Sequence, residues 1–168
     1  GARRSTALTK KRLNATKQRC ERTKVLNTVN KAAARLFNTG SNPQLSYGKE
    51  IMGICPSTED VIRAMAALTC STNAGGQCAT TNIHIALGQD SDRKIKIPID
   101  QLKAWIYLAD KVPVKNIIHA WMAAKAVRTI ATIKWQHVKG PLTALMATLI
   151  DKGWEPTMAN TWRDTEGC

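Results

Sequence analysis

Acidic residues are scarce where this chain most needs them for charge balance. Residues 1–40 hold eleven Lys and Arg against one carboxylate, Glu21, a local charge of +10; residues 41–168 hold fourteen against eleven, or +3, of the total +13. No Asp-Asp pair occurs anywhere, so the clustered carboxylates of two-metal catalysis are missing. Asp90-x-Asp92 sits in a polar stretch followed by cations and lacks the glycine and alternating oxygens of a calcium loop, so it reads as a solvated turn. There is no Walker loop, no G-x-G-x-x-G and no G-x-S-x-G elbow. The five cysteines are odd in number and sparse. Cys70, Cys78 and His84 do not have the tight paired spacing of zinc modules and read as thiols beside a loop. His84, His119 and His137 stand on or beside apolar faces without a partnering nucleophile, which makes them structural. No metal and no cofactor is expected.

Long apolar runs are absent too. Ala64–Gln89 is uncharged but is interrupted by Ser71, Asn73, Gly75, Gly76, Gln77 and Asn82, which excludes a membrane span. No hydrophobic segment opens the sequence, so the thiols are expected to be reduced, in the nucleus or cytoplasm, with an organellar matrix as the further option. A first residue of Gly rather than Met suggests a fragment or a processed form.

What is present is helical patterning. Residues 5–24 suit a helix but carry cations all round it, so they are expected to project rather than pack. Val25, Leu26, Val29, Ala32, Ala33, Leu36 and Phe37 repeat at helical spacing and would dock the second half of one helix over 5–37, about 50 Å long. Gly40 is placed to end it, Pro43 to prevent its resumption, and Leu45 to Tyr47 to run extended, with the Tyr47 ring buried and its hydroxyl bonded. Gly48 and Gly53 are permissive points, and Ser57 is the expected cap of the next helix. Apolar stripes predict helices over 25–37, 58–69, 99–110, 114–130 and 142–151, sharing one core. The stretch 80–87 fits a strand or a short helix, and Lys94–Pro98 a brief extended piece. In the helix of 114–130 the stripe drifts towards Val127, Ile130 and Ala131. Pro141 suits a first helical position, Leu142, Leu145, Met146, Leu149 and Ile150 form the cleanest stripe, and Gly153 supplies the stop. Trp105, Trp121, Trp135 and Trp154 fall at core or helix-junction positions. The expected fold is mainly α: an irregular multi-helix bundle with a long basic N-terminal helix and short extended connectors. The expected division is a basic arm (1–24), a helical domain (25–154) and a C-terminal tail or linker (155–168).

The segment from Leu36 to Pro56 also resembles a known element. Leu-Phe-x-Thr-Gly, then x-x-Pro-Gln-Leu-x-Tyr-Gly, Glu and Gly-Ile-x-Pro is similar to the thumb-like region after the palm of non-LTR (LINE-type) retrotransposon reverse transcriptases. Gly40, Pro43, Tyr47, Gly48 and Glu50 carry the likeness, which spans about the first seventy residues; Met52 stands near the place of the family's Trp. Gly140–Leu142 through Gly153-Trp154 resembles the spacer ahead of a ribonuclease-H-like domain in some of these polyproteins. The resemblance implies a template–primer-contacting, non-catalytic segment, with an upstream palm holding the polymerase carboxylates and a downstream ribonuclease-H-like domain as partners.

Arg3, Arg4, Lys10, Lys11, Arg12, Lys17, Arg19 and Arg22 are the candidate binding residues, for RNA or DNA through phosphates and without membrane contact. Cations every few residues neutralise a phosphate backbone without reading sequence. A solvated tail and an organellar transit segment are the other readings of the arm. A freestanding helical RNA-binding or ribosome-associated protein is the alternative function, and a metal- or thiol-dependent enzyme the third.

Overall fold

A computed structural model describes residues 7–71, 76–130, 135, 138, 140–164 and 166, with only the backbone of Glu50 and of residues 126–130. The fold is mainly helical: α1 (Ala7–Val29), α2 (Asn42–Ser46), α3 (Lys49–Met52), α4 (Pro56–Cys70), α5 (Ala79–Leu87), α6 (Arg93–Lys111), α7 (Val114–Ile130) and α8 (Pro141–Asp151). A two-stranded antiparallel hairpin, β1 (Glu155–Met158) and β2 (Thr161–Arg163), follows. The expected single core is replaced by two compact units, one of Ser5–Tyr47 with Pro56–Ile97, the other built mainly from Gly48–Cys55 and Pro98–Cys168. Pro98, inside α6, marks the change between them and leaves one helical carbonyl without its usual amide.

In the first unit α1 packs on α4 and α4 on α5. This corrects the expectation of a projecting arm. Thr16, Cys20, Thr23 and Asn27 recur at helical spacing and are all buried, with Leu13 half-buried behind them. Cys20 enters a core with Phe37, Met65, Ala66, Ala67 and Ile83. The small side chains of Ala66 and Ala67 suit a close helix approach. Thr23 Oγ1 donates to the Arg19 carbonyl at 3.0 Å, and Thr69 Oγ1 to that of Ala66 at 2.7 Å, so these hydroxyls present little more than methyl surface to the seam. Asn27 Nδ2 donates to the carbonyls of Thr69 and Cys70, at 3.2 and 3.3 Å, at the end of α4. One helix thereby caps another.

The apolar set expected to dock is largely outside. Val25, Leu26 and Val29 are exposed, Val29 to 90%, and so is Leu36; Ala34 and Phe37 are the buried members downstream. The helix also ends before Phe37. Asn30 is extended (φ −135°, ψ 111°) and its side chain accepts from the Ala32 amide at 2.9 Å, starting a tight turn over Lys31–Arg35. A π turn, Phe37–Ser41, then holds Gly40, which has no positive φ and ends nothing. Pro43 is the second residue of α2, in the first turn where its missing amide costs nothing, and 45–46 are helical rather than extended.

Asp92 is a further correction: it is buried and not a solvated turn residue. Its Oδ1 accepts from the Lys94 amide at 3.0 Å as the cap of α6, and Oδ2 pairs with Arg63 Nε at 3.3 Å. That cap explains why Lys94–Pro98 is helix rather than an extended piece. Asn38 Nδ2 bonds the Leu87 carbonyl (3.2 Å) and Ser91 Oγ (2.7 Å), tying the π turn to the end of α5. Residues 80–87 are helical, within α5. α4 starts at Pro56 instead of being capped by Ser57, and it buries Ile62, Met65 and Ala66 while Val61 and Leu68 are exposed.

The second unit centres on Trp105, Trp121, Ala124, Leu145, Met146 and Leu149. The rings of Trp105 and Trp121 lie 6.0 Å apart at 37°. Trp105 Nε1 donates to the Ala159 carbonyl at 3.2 Å, and the half-buried Trp162 packs against the same cluster. Pro141 and Gly153 flank α8 as expected, the latter at φ 85°. Burial on α8 is wider than a stripe: Ala144 through Leu149 are all buried, whereas Ile150 is 37% exposed. α7 spans its expected residues but exposes Val114, Ile118 and Met122; its drift towards Val127, Ile130 and Ala131 falls outside the described side chains. Gly53, at φ 64°, has no room for a Cβ, which would lie 2.8 Å from the Trp135 ring.

Leu145→Ala and Leu149→Ala should each lower stability by about 2–5 kcal/mol in urea titrations, the range for an emptied core leucine site. Removal of residues 1–22 takes Thr16 and Cys20 from the seam, so helical circular dichroism should fall by more than the deleted residues account for. A truncated protein that keeps the helicity of α4 and α5 would show that the seam is dispensable.

Candidate nucleic-acid interface

Burying Leu13, Thr16, Cys20, Thr23 and Asn27 fixes the rotation of α1, and with it where each cation goes. Residues seven apart nearly coincide on a helix, so Lys10, Lys17 and Lys24 form a row along one flank, about 10.5 Å per step. A stacked nucleic-acid strand advances three nucleotides in about the same distance. Lys11 and Arg22 lie on the side opposite the seam. Arg12 and Arg19, also seven apart, line the other flank. Lys10, Lys11, Lys17, Arg19 and Arg22 are exposed, and Arg12 and Lys24 are half-buried. Among the described residues the identified ion pairs, Arg63–Asp92 and Lys111–Asp110, do not involve α1. Arg3 and Arg4 lie outside the described residues. Lys24 was not among the sequence candidates, although its seven-residue spacing from Lys17 was legible.

The Arg12–Arg19 flank has a second component. Arg19 Nη1 donates to Gln44 Oε1 at 2.6 Å, joining α1 to α2. The Arg12 guanidinium lies over the Tyr47 ring, 5.1 Å from its centroid. Tyr47 is 73% exposed, which corrects its reading as a buried ring. It sits at the end of α2, where the chain turns through Gly48 at φ 71°. Of the residues carrying the family resemblance, Pro43 is in the first turn of α2, Gly40 is in the π turn, and the backbone of Glu50 lies in α3.

Protein-family models, curated proteins and solved structures offer no match to this chain.

Among the described residues no three His, Cys, Asp or Glu side chains gather as a metal site. Cys70 donates its thiol to the Ala66 carbonyl at 3.1 Å, and burial pushes its pKa up to about 11. Cys78 precedes α5 and is exposed; the backbone amide of Thr81 is the largest cause of its thiol falling to about 7, with the Thr81 hydroxyl and Thr80 contributing. His84 is half-buried in α5, His119 is exposed on α7, and His137 is outside the described residues.

Two cysteines on neighbouring helices should therefore differ sharply in reactivity. Thiolate is the nucleophile, so alkylation of Cys78 by iodoacetamide should rise through a midpoint near pH 7, while Cys70 stays unreactive until well above it. Peptide mass mapping after timed alkylation reads both sites. Equal rates for the two would remove the contribution assigned to the Thr81 amide.

Proposed function

We propose that the exposed cations of α1 bind the phosphates of a nucleic acid, and that the chain is a non-catalytic, template–primer-contacting segment. That is the role implied by its resemblance to the thumb-like region of non-LTR reverse transcriptases. The observation that supports phosphate binding is the division of α1 into a docked polar seam and a cationic remainder. The seam anchors the helix in the core of its unit, so Lys10, Lys11, Lys17 and Arg22 stand on a fixed support rather than on a loose tail. A fixed row presents charge to a polyanion with less ordering cost than a tail that must be immobilised on binding.

The retroelement context, with a palm upstream and a ribonuclease-H-like domain downstream, belongs to this proposal, as does a nuclear or cytoplasmic location. Among the described residues no helix is long and apolar enough to cross a membrane. A freestanding RNA-binding or ribosome-associated protein would use the same cationic surface. The complete reading frame separates the two, since palm carboxylates upstream belong only to the first.

Binding measured by fluorescence anisotropy across a salt series tests the surface. If six cations meet phosphates, log K should fall against log salt with a slope of about −5 on duplex and about −4 on single strand. Lys11→Ala, Lys17→Ala and Arg22→Ala should each weaken binding to all sequences alike and flatten the slope by roughly one unit or slightly less. A slope that none of the three substitutions changes would place the site away from α1.

A further inference from the structure

Tyr47 is not explained by phosphate neutralisation or by core packing. A tyrosine that is 73% exposed leaves most of its ring in water, and this one stands on the cationic flank of α1. We propose that the Tyr47 ring, braced by Arg12, is a stacking platform for an unpaired base, which makes the preferred ligand of this surface a single-stranded nucleic acid. The proposal rests on the phosphate-binding reading and adds the ligand class to it.

Three observations converge on the platform. The guanidinium of Arg12 lies over the ring, 5.1 Å from its centroid, and at 73% exposure most of the residue's surface is open to solvent. The backbone beneath it is the end of α2, where the Tyr47 amide donates to the Pro43 carbonyl at 3.1 Å, so the ring is carried on the last turn of that helix. Gln44 lies three residues before Tyr47, one turn of α2, and accepts from Arg19 through Oε1, which leaves its Nε2 amide to donate to a base edge or a phosphate. Arg12, Arg19, Gln44 and Tyr47 thus offer charge, a donor and an aromatic face within one flank. Every base has a π face, so stacking of this kind tolerates any sequence, and cations beside it follow the strand. Inside a duplex the base faces are already stacked on their neighbours, and a ring standing at the surface gains nothing from them.

The test compares the intact chain with Tyr47→Ala and Tyr47→Phe, using end-labelled oligothymidylate, oligouridylate and a blunt duplex of equal length. The ring is mostly in solvent, and circular dichroism of each variant checks that it is folded. Tyr47→Ala should weaken both single-stranded probes by roughly 5- to 150-fold, the range for one lost base stack, and leave the duplex within about twofold. The salt slope should stay as it was, because the lost contact carries no charge. Tyr47→Phe, which keeps the ring, should bind like the parent. Preference for the uridylate or thymidylate probe distinguishes RNA from DNA as the source of the strand. Unchanged single-strand binding in Tyr47→Ala, with Lys17→Ala still impaired, would overturn the platform and leave the phosphate reading standing. An equal loss on duplex and single strand would overturn it as well. Failure of the parent chain to bind any of the three probes would overturn the phosphate reading, and the platform with it.

Discussion

The seam between α1 and α4 is the constraint on which the first unit depends. It is made largely from residues that are poor core material, two threonines and an asparagine, joined by a cysteine and facing alanines. Thr16 Oγ1 and Asn27 Oδ1 are buried there without a hydrogen-bond partner, while the other polar groups of the seam are satisfied locally. Thr23 and Thr69 return their hydroxyls to carbonyls of their own helices, and Asn27 spends its amide on the last carbonyls of α4. Small side chains let the helices approach closely, and Phe37, Met65 and Ile83 fill the space beyond them. The rotation set by this seam decides which cations face water and brings Arg12 to Tyr47. The surface proposed for nucleic acid is thus a by-product of how the opposite face of α1 is buried.

The second unit is assembled by other means. Two tilted tryptophans, a helix buried along most of its length and a short hairpin supply the apolar mass that the first unit lacks. Trp105 is tied to the hairpin by its indole N–H, a polar handle used to position a large apolar surface. The hairpin also places the half-buried Trp162 against the cluster of Trp105 and Trp121.

Helix content was legible in the sequence wherever apolar residues repeat: α7 begins where its stripe does, and α8 lies where Pro141 and Gly153 punctuate it. The docking face of α1 was not, because a search for apolar periodicity passes over Thr16, Thr23 and Asn27. The same search selected Val25, Leu26 and Val29, whose spacing is helical but whose side chains point to solvent. Periodicity identifies a face; it does not say whether a neighbour arrives to cover it. Lys94–Pro98 is helical for a related reason: Asp92 is a strong N-cap in its own right, and reading the alternation of Ile95 and Ile97 as extended chain passes over it. Of the candidate site, the cationic residues were visible in composition alone. The Arg12–Tyr47 pairing joins positions thirty-five residues apart and has no trace in local pattern.

The cap that Asn27 places on α4 has a consequence for energetics. The end of α4 can keep its last carbonyls satisfied in this way only while α1 is seated, so fraying of one helix and departure of the other belong to one cooperative event. Set against this is the mutual repulsion of closely spaced cations along α1, felt most strongly when the helix is held in place at low ionic strength. Counter-ions or a bound polyanion relieve that repulsion and favour the seated helix. Ionic atmosphere is thereby linked to the integrity of hydrogen bonds on the opposite side of α1.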